Sequence, residues 1–164
     1  LAMATEVPNS KVFAVEKSDQ ALPFTKANFA AYGQNATLIQ GDLADAFAEL
    51  DGQVAVVASN PPYIPSAMIP RDEEVRLHDP ELALYGGADG MDLVRKIVAG
   101  AAERLTPNGI LMVEIGNERD YAEAAFGHLG LTWLTTSAGD DMVFLLTAEQ
   151  FDAWNRLWWK LRAA

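Results

Sequence analysis

Val54-Ala55-Val56-Val57-Ala58-Ser59 runs without a break into Asn60-Pro61-Pro62-Tyr63. An unbroken apolar run closed by prolines reads as a strand covered on both faces, the pattern of a parallel sheet. Working outward, Lys11 to Glu16 and Ala36 to Gln40 repeat that pattern upstream. Between them Ser18 or Asp19 can cap a helix that runs to about Tyr32 and ends at Gly33. Leu43 to Leu50 reads as a short helix and Asp51-Gly52 as a turn. Downstream, Asn60 to about Gly90 is rich in Pro and Gly and is expected to be irregular, and a loop of that length is usually functional. Met91 to Leu105 is amphipathic, with Leu93, Ile97, Ala101 and Leu105 on one face, and Pro107-Asn108-Gly109 makes a turn. Ile110 to Ile115, Leu131 to Thr135 and Met142 to Thr147 follow as strands, with a helix over Glu118 to Leu129. A last helix over Ala148 to Leu161 carries Trp154, Trp158 and Trp159, read as a packing face. This β-α-β-α-β-loop-α-β-α-β-β-α order predicts an α/β fold, its sheet mainly parallel with one antiparallel strand at the end.

Composition narrows the function. The chain has 164 residues, enough for one domain with a sizeable core. It contains no Cys, which excludes disulfides, thiolate metal sites and a Cys nucleophile. His78 and His128 are too far apart for a local zinc motif. Twelve basic against 23 acidic residues give a net charge of −11, which repels phosphate and disfavours direct binding to nucleic acid. No apolar run reaches about 18 residues, so no membrane span is expected.

Ligands of parallel α/β sheets sit beyond the carboxyl ends of the strands. Asn60-Pro61-Pro62-Tyr63 occupies such an end. The Asn side-chain carbonyl and the proline carbonyls accept hydrogen bonds, and neither proline donates one. That set suits a planar NH₂ group, on which Tyr63 could stack. The bland alternative is a rigid turn with an Asx-type bond. Glu16 closes one strand and Asp42 follows the next, where an acid can take ribose hydroxyls or an exocyclic amine; a helix cap or a solvated turn explains either alone. Glu114 either faces a polar cleft or marks a strand end. His78, Asp79 and Glu81 read as a general-base cluster or as a charged loop. Gly86, Gly87 and Gly90 are scattered and make no phosphate loop.

Ser59-Asn60-Pro61-Pro62-Tyr63-Ile64-Pro65, then Glu74-Val75-Arg76-Leu77-His78-Asp79-Pro80 and Gly87-Ala88-Asp89-Gly90-Met91-Asp92, resemble the protein glutamine methyltransferases. The resemblance covers nearly the whole chain. Residues 1–80 resemble the branch acting on peptide chain release factors; residues 110–150 resemble the branch acting on a large-subunit ribosomal protein. The resemblance implies a Rossmann-like fold, S-adenosyl-L-methionine as methyl donor, no metal, a protein substrate from the translation machinery and a cytoplasmic location. It places Glu16 on the ribose hydroxyls with Lys17 beside it, Asp42 and Leu43 at the adenine, and Asn60, Pro61, Pro62 and Tyr63 at the target amide, Asn60 bordering the cofactor as well.

The family's first strand and Gly-rich cofactor loop precede the segment that matches Lys11 to Glu16, and Leu1 to Glu6 resembles the tail of the helix after that loop. The expectation is therefore a single catalytic domain over residues 1–164, incomplete at its N-terminus. The missing strand would leave strands 11–16 and 54–59 without their shared neighbour. Two other functions fit the same residues. One is a nucleic-acid amino-methyltransferase, since those enzymes share the Asn-Pro-Pro-Tyr pattern. The other is a non-catalytic module that keeps the fold.

Overall fold

A computed structural model describes residues 1–7, 9–32, 36–43, 47–48, 50, 52–70, 72–137 and 139–154. The chain separates into two compact units, Leu1–Asp51 and Gly52–Ala164. The expected stop at Gly33, half of the expected helix over residues 43–50, and Trp158 and Trp159 lie outside the described residues.

The first unit contains α1 (Ala2–Glu6), β1 (Val12–Glu16), α2 (Leu22–Tyr32) and β2 (Ala36–Gln40). β1 and β2 pair in parallel, Val12 opposite Ala36 and Glu16 opposite Gln40. Leu22 and Ile39 are its buried side chains among the described residues. Ser18 starts α2 as expected, its hydroxyl accepting the Ala21 N–H at 3.2 Å.

The second unit contains β3 (Val54–Ser59), α3 (Glu73–His78), α4 (Asp92–Arg104), β4 (Leu105–Glu114), α5 (Arg119–Phe126), β5 (Thr132–Thr136) and β6 (Gly139–Thr147). Its strand order is β3-β4-β6-β5. β3 and β4 are parallel; β6 runs antiparallel to both β4 and β5. Parallel pairing with one antiparallel strand late in the chain is present as expected, with β6 inside the sheet between β4 and β5. Met91, Val94, Ile97, Leu111, Val113, Ile115, Phe144 and Leu146 are fully buried here. Ile97→Val removes one methyl from this core and is expected to cost about 1 kcal/mol in urea denaturation.

Four local expectations change. The apolar run 54–59 predicts a strand covered on both faces, yet Ala55, Val56 and Ala58 are exposed; β3 is the edge of its sheet and pairs only with β4 among the described residues. Residues 60–90 are not wholly irregular: α3 forms where Asp72 accepts the Glu74 N–H at 2.9 Å, and a 3-10 turn covers Glu81–Ala83. The Pro107-Asn108-Gly109 turn is absorbed into β4, whose register against β3 jumps from Val54–Leu105 to Val56–Ile110. On α4, Val94 rather than Leu93 joins Ile97 and Ala101 in the core. Among the described residues, no helix is long and apolar enough to cross a membrane.

Candidate active site

The carboxyl ends of β1 and β2 carry the acids of the first unit. In-register parallel pairing brings residues 16 and 40 level, so the residues just beyond them meet. Lys17 Nζ lies 2.8 Å from Asp42 Oδ2. Glu16 Oε1 accepts the Ser18 N–H at 2.8 Å, and Oε2 takes the Thr25 hydroxyl at 3.4 Å. Glu16 therefore also braces the turn into α2. A carboxylate has about four acceptor positions, so each oxygen that already takes one donor can take another. Leu43 follows Asp42 and is half-buried.

Asn60, Pro61, Pro62 and Tyr63 leave the carboxyl end of β3 in the second unit. Pro61 is buried, Pro62 and Tyr63 are half-buried, and Asn60 is exposed. The Asx-type bond offered above as the bland alternative is absent: among the described residues the Asn60 side chain makes no hydrogen bond. The backbone that follows is held on several sides. Ile64 N–H donates to Leu84 O at 2.9 Å, and Gly86 N–H returns to Ile64 O at 3.0 Å. Ser66 N–H and its hydroxyl both reach Gly87 O, at 2.8 and 3.0 Å. Asp92 N–H donates to Gly86 O at 2.9 Å, fastening the start of α4 to the same strap.

Three glycines read as scattered or overlooked make this brace. A Cβ on Gly86 would strike the carbonyl oxygens of Pro62 and Gly90, and one on Gly90 (φ +77°) would strike the Tyr63 carbonyl oxygen. Gly116 (φ +53°) admits the Tyr63 ring: a Cβ there would lie 2.8 Å from its hydroxyl oxygen and 2.9 Å from Cζ. Gly90 and Gly116 take left-handed backbone, which favours glycine, yet both lie far in sequence from the Tyr63 atoms they accommodate, so no local signal marks them. Burial raises the Tyr63 phenol pKa, and the charges of Glu114 and then Glu118 raise it further, so the hydroxyl keeps its proton at neutral pH. Glu114 is the last residue of β4 and is half-buried.

Asp89 locks the strap. Its carboxylate accepts from Arg95 Nη1 at 3.0 Å and from the Met91 N–H at 3.0 Å. The Arg95 hydrogen bond, reinforced by that N–H, holds Asp89 down at about 2 against an ordinary 3.8. A carboxyl whose folded pKa is depressed stabilises the fold above its unfolded pKa, and that contribution disappears as pH falls through the folded value. The strap is therefore expected to weaken between about pH 4 and pH 2. Thermal melting of Asp89→Asn against the parent checks this, the variant showing a flatter loss across that window.

The remaining expectations resolve simply. His78, Asp79 and Glu81 are exposed, but they do not form a loop: His78 ends α3, with its Nε2 3.9 Å from Glu74, and Glu81 opens the 3-10 turn. Trp154 packs on His128 at 5.3 Å between ring centroids. Among the described residues, no group of three or more His, Asp or Glu is placed to hold a metal ion.

No protein-family model matches the chain. Sequence relatives do. The ribosomal protein uL3 glutamine methyltransferase of Neisseria gonorrhoeae is 45% identical over 152 residues, 92% of this chain and 50% of the relative. The release factor glutamine methyltransferase of Streptomyces coelicolor is 49% identical over 118 residues, 70% of this chain and 40% of the relative. The chain thus spans about half the length of the curated relatives it matches. Among solved structures, a methyltransferase from Pyrococcus furiosus aligns at TM-score 0.61 and 18% identity, covering 89% of this chain and 66% of that one. A Streptococcus mutans protein solved in complex with SAH aligns at TM-score 0.53 and 17% identity, covering 82% and 73%. At such identities the likeness is one of fold, and that fold is the class I methyltransferase fold.

Proposed function

We propose that this chain, a homologue of the protein glutamine methyltransferases along most of its length, serves methylation of a glutamine side-chain amide nitrogen in a protein of the translation machinery. The observation that carries the reading is Asn60: exposed, bonded to nothing among the described residues, and followed by a backbone held rigid by Gly86, Gly90 and Gly116.

The Asn60 Oδ1 and the Pro61 carbonyl accept the two hydrogens of the target amide, and no proline N–H competes for those acceptors. Holding both hydrogens fixes the nitrogen's direction and would favour the positive charge that grows on it as a bond to the methyl carbon forms and the carbon–sulfur bond breaks, the electron pair staying on sulfur; the nitrogen would then give up one hydrogen as a proton to water. Tyr63, protonated and seated against Gly116, offers a ring face to the flat amide. S-adenosyl-L-methionine, when bound, supplies an electrophilic methyl group on a sulfonium. The residues at the ends of β1 and β2 fit its nucleoside. Glu16 has acceptor capacity on both oxygens for a ribose diol, Asp42 is a carboxylate for an exocyclic amine, and Leu43 is apolar surface for a base. Lys17 holds Asp42 in place.

The test is methyl-labelled S-adenosyl-L-methionine with three acceptors: a peptide chain release factor, large-subunit ribosomal protein uL3 and an adenine-containing duplex. Label on one of the proteins, mapped to a glutamine, is the expected result. Label on the duplex alone would favour the nucleic-acid amino-methyltransferase and overturn the proposal.

A further inference from the structure

We infer that the groove beside Tyr63 takes a Lys or Arg side chain of the substrate polypeptide, so that the preferred target glutamine has a basic residue close to it in sequence. This rests on the function proposed above and adds the chemical class of the segment that carries the glutamine.

The groove encloses about 210 Å³ and is lined by Tyr63, Met68, Ile69, Asp72, Val75 and Glu118, among others. Its walls and its charges call for different things. Met68, Ile69 and Val75 are apolar, and Ile69 is left 71% exposed, a surface that gains by being covered. Among the described residues the charged lining side chains are both carboxylates, Asp72 and Glu118, and neither has a cationic partner. The Arg of α3 is already engaged: Arg76 Nη2 lies 3.3 Å from Glu73 Oε1. Glu114 adds a third negative charge near the Tyr63 ring. One kind of side chain satisfies apolar walls and carboxylates together. Lys and Arg lay an aliphatic stem along apolar surface and carry the charge at its tip. A phosphate or an acidic segment would meet repulsion from these carboxylates, and a purely apolar segment would leave them without a counter-charge.

The experiment uses three fluorescent peptides, each with a central glutamine and differing at one flanking position: Lys, the uncharged isostere norleucine, or Glu. Binding is read by anisotropy against the protein and against a Glu118→Gln, Asp72→Asn double variant. Asn replaces Asp72 because it caps a helix equally well, so α3 is kept. The Lys peptide is expected to bind about three- to tenfold more tightly than the norleucine peptide, with the Glu peptide weakest, and this order should collapse in the double variant. Equal binding of all three, or a Lys preference that survives the double variant, would overturn the inference. Methyl transfer to the same peptides separates it from the reading beneath it. Methylation blind to the flanking charge sinks the groove and leaves the function. Charge-selective binding without methylation sinks the function and leaves the groove.

Discussion

Asn60→Ala is expected to lower kcat for glutamine methylation about a hundredfold, the size of effect seen when one group that stabilises charge in a transition state is removed. Thermal stability should barely change, because the Asn60 side chain is exposed and holds no hydrogen bond among the described residues. That pairing of outcomes is diagnostic. A residue kept for a turn loses stability when truncated; a residue kept for an acceptor loses rate. Asn60→Asp retains an acceptor but adds a negative charge beside a nitrogen that becomes positive, so it should retain more activity than Ala. A hundredfold loss accompanied by a large fall in melting temperature would return Asn60 to a structural role.

Gly90→Ala is the second large effect, and it falls on stability first. Gly90 sits at φ +77°, and a Cβ there points into the Tyr63 carbonyl oxygen. Left-handed strain and a backbone clash add, for an expected loss of about 2–4 kcal/mol in urea denaturation. The neighbour that must give way is backbone, which cannot rotate aside as a side chain could. Tyr63 and the peptide before it would shift, so methyl transfer should fall even at temperatures where the variant stays folded. Gly41→Ala provides the contrast: nothing lies within 4 Å of its Cβ position, and its cost should stay within about 0.5 kcal/mol. Equal costs at the two positions would mean that the strap from Gly86 to Asp92 does not support the Asn60 segment.

The strands and most helices were legible because their apolar runs announce them. The meeting of Lys17 with Asp42 follows from parallel strands in register. α3 was missed although its signals are local, an Asp72 cap, acids at Glu73 and Glu74 and basic residues at Arg76 and His78, because prolines on either side suggested a loop. The exposure of Ala55 and Val56 was not legible, since strand composition does not say where a strand sits in its sheet. The brace was the least legible of all. Whether a glycine is a spacer or a required gap depends on which carbonyl returns to it, and only the fold brings Gly90 to Tyr63, or Gly116 to the Tyr63 ring. The acceptor set proposed for Asn60 and Pro61 follows from residue types; that Asn60 is not spent on a local turn needed the structure.

The proposed role of Asn60 and Pro61 is to accept both hydrogens of a glutamine amide. It is tested most directly by calorimetric titration of a glutamine peptide and its Glu counterpart into the parent protein and into Asn60→Ala. In the parent, replacing the amide by a carboxylate sets acceptors against acceptors and should weaken binding at least about tenfold. In Asn60→Ala most of that discrimination should vanish. The same Gln-over-Glu preference in both proteins would contradict the account, because the preference would then come from somewhere other than Asn60.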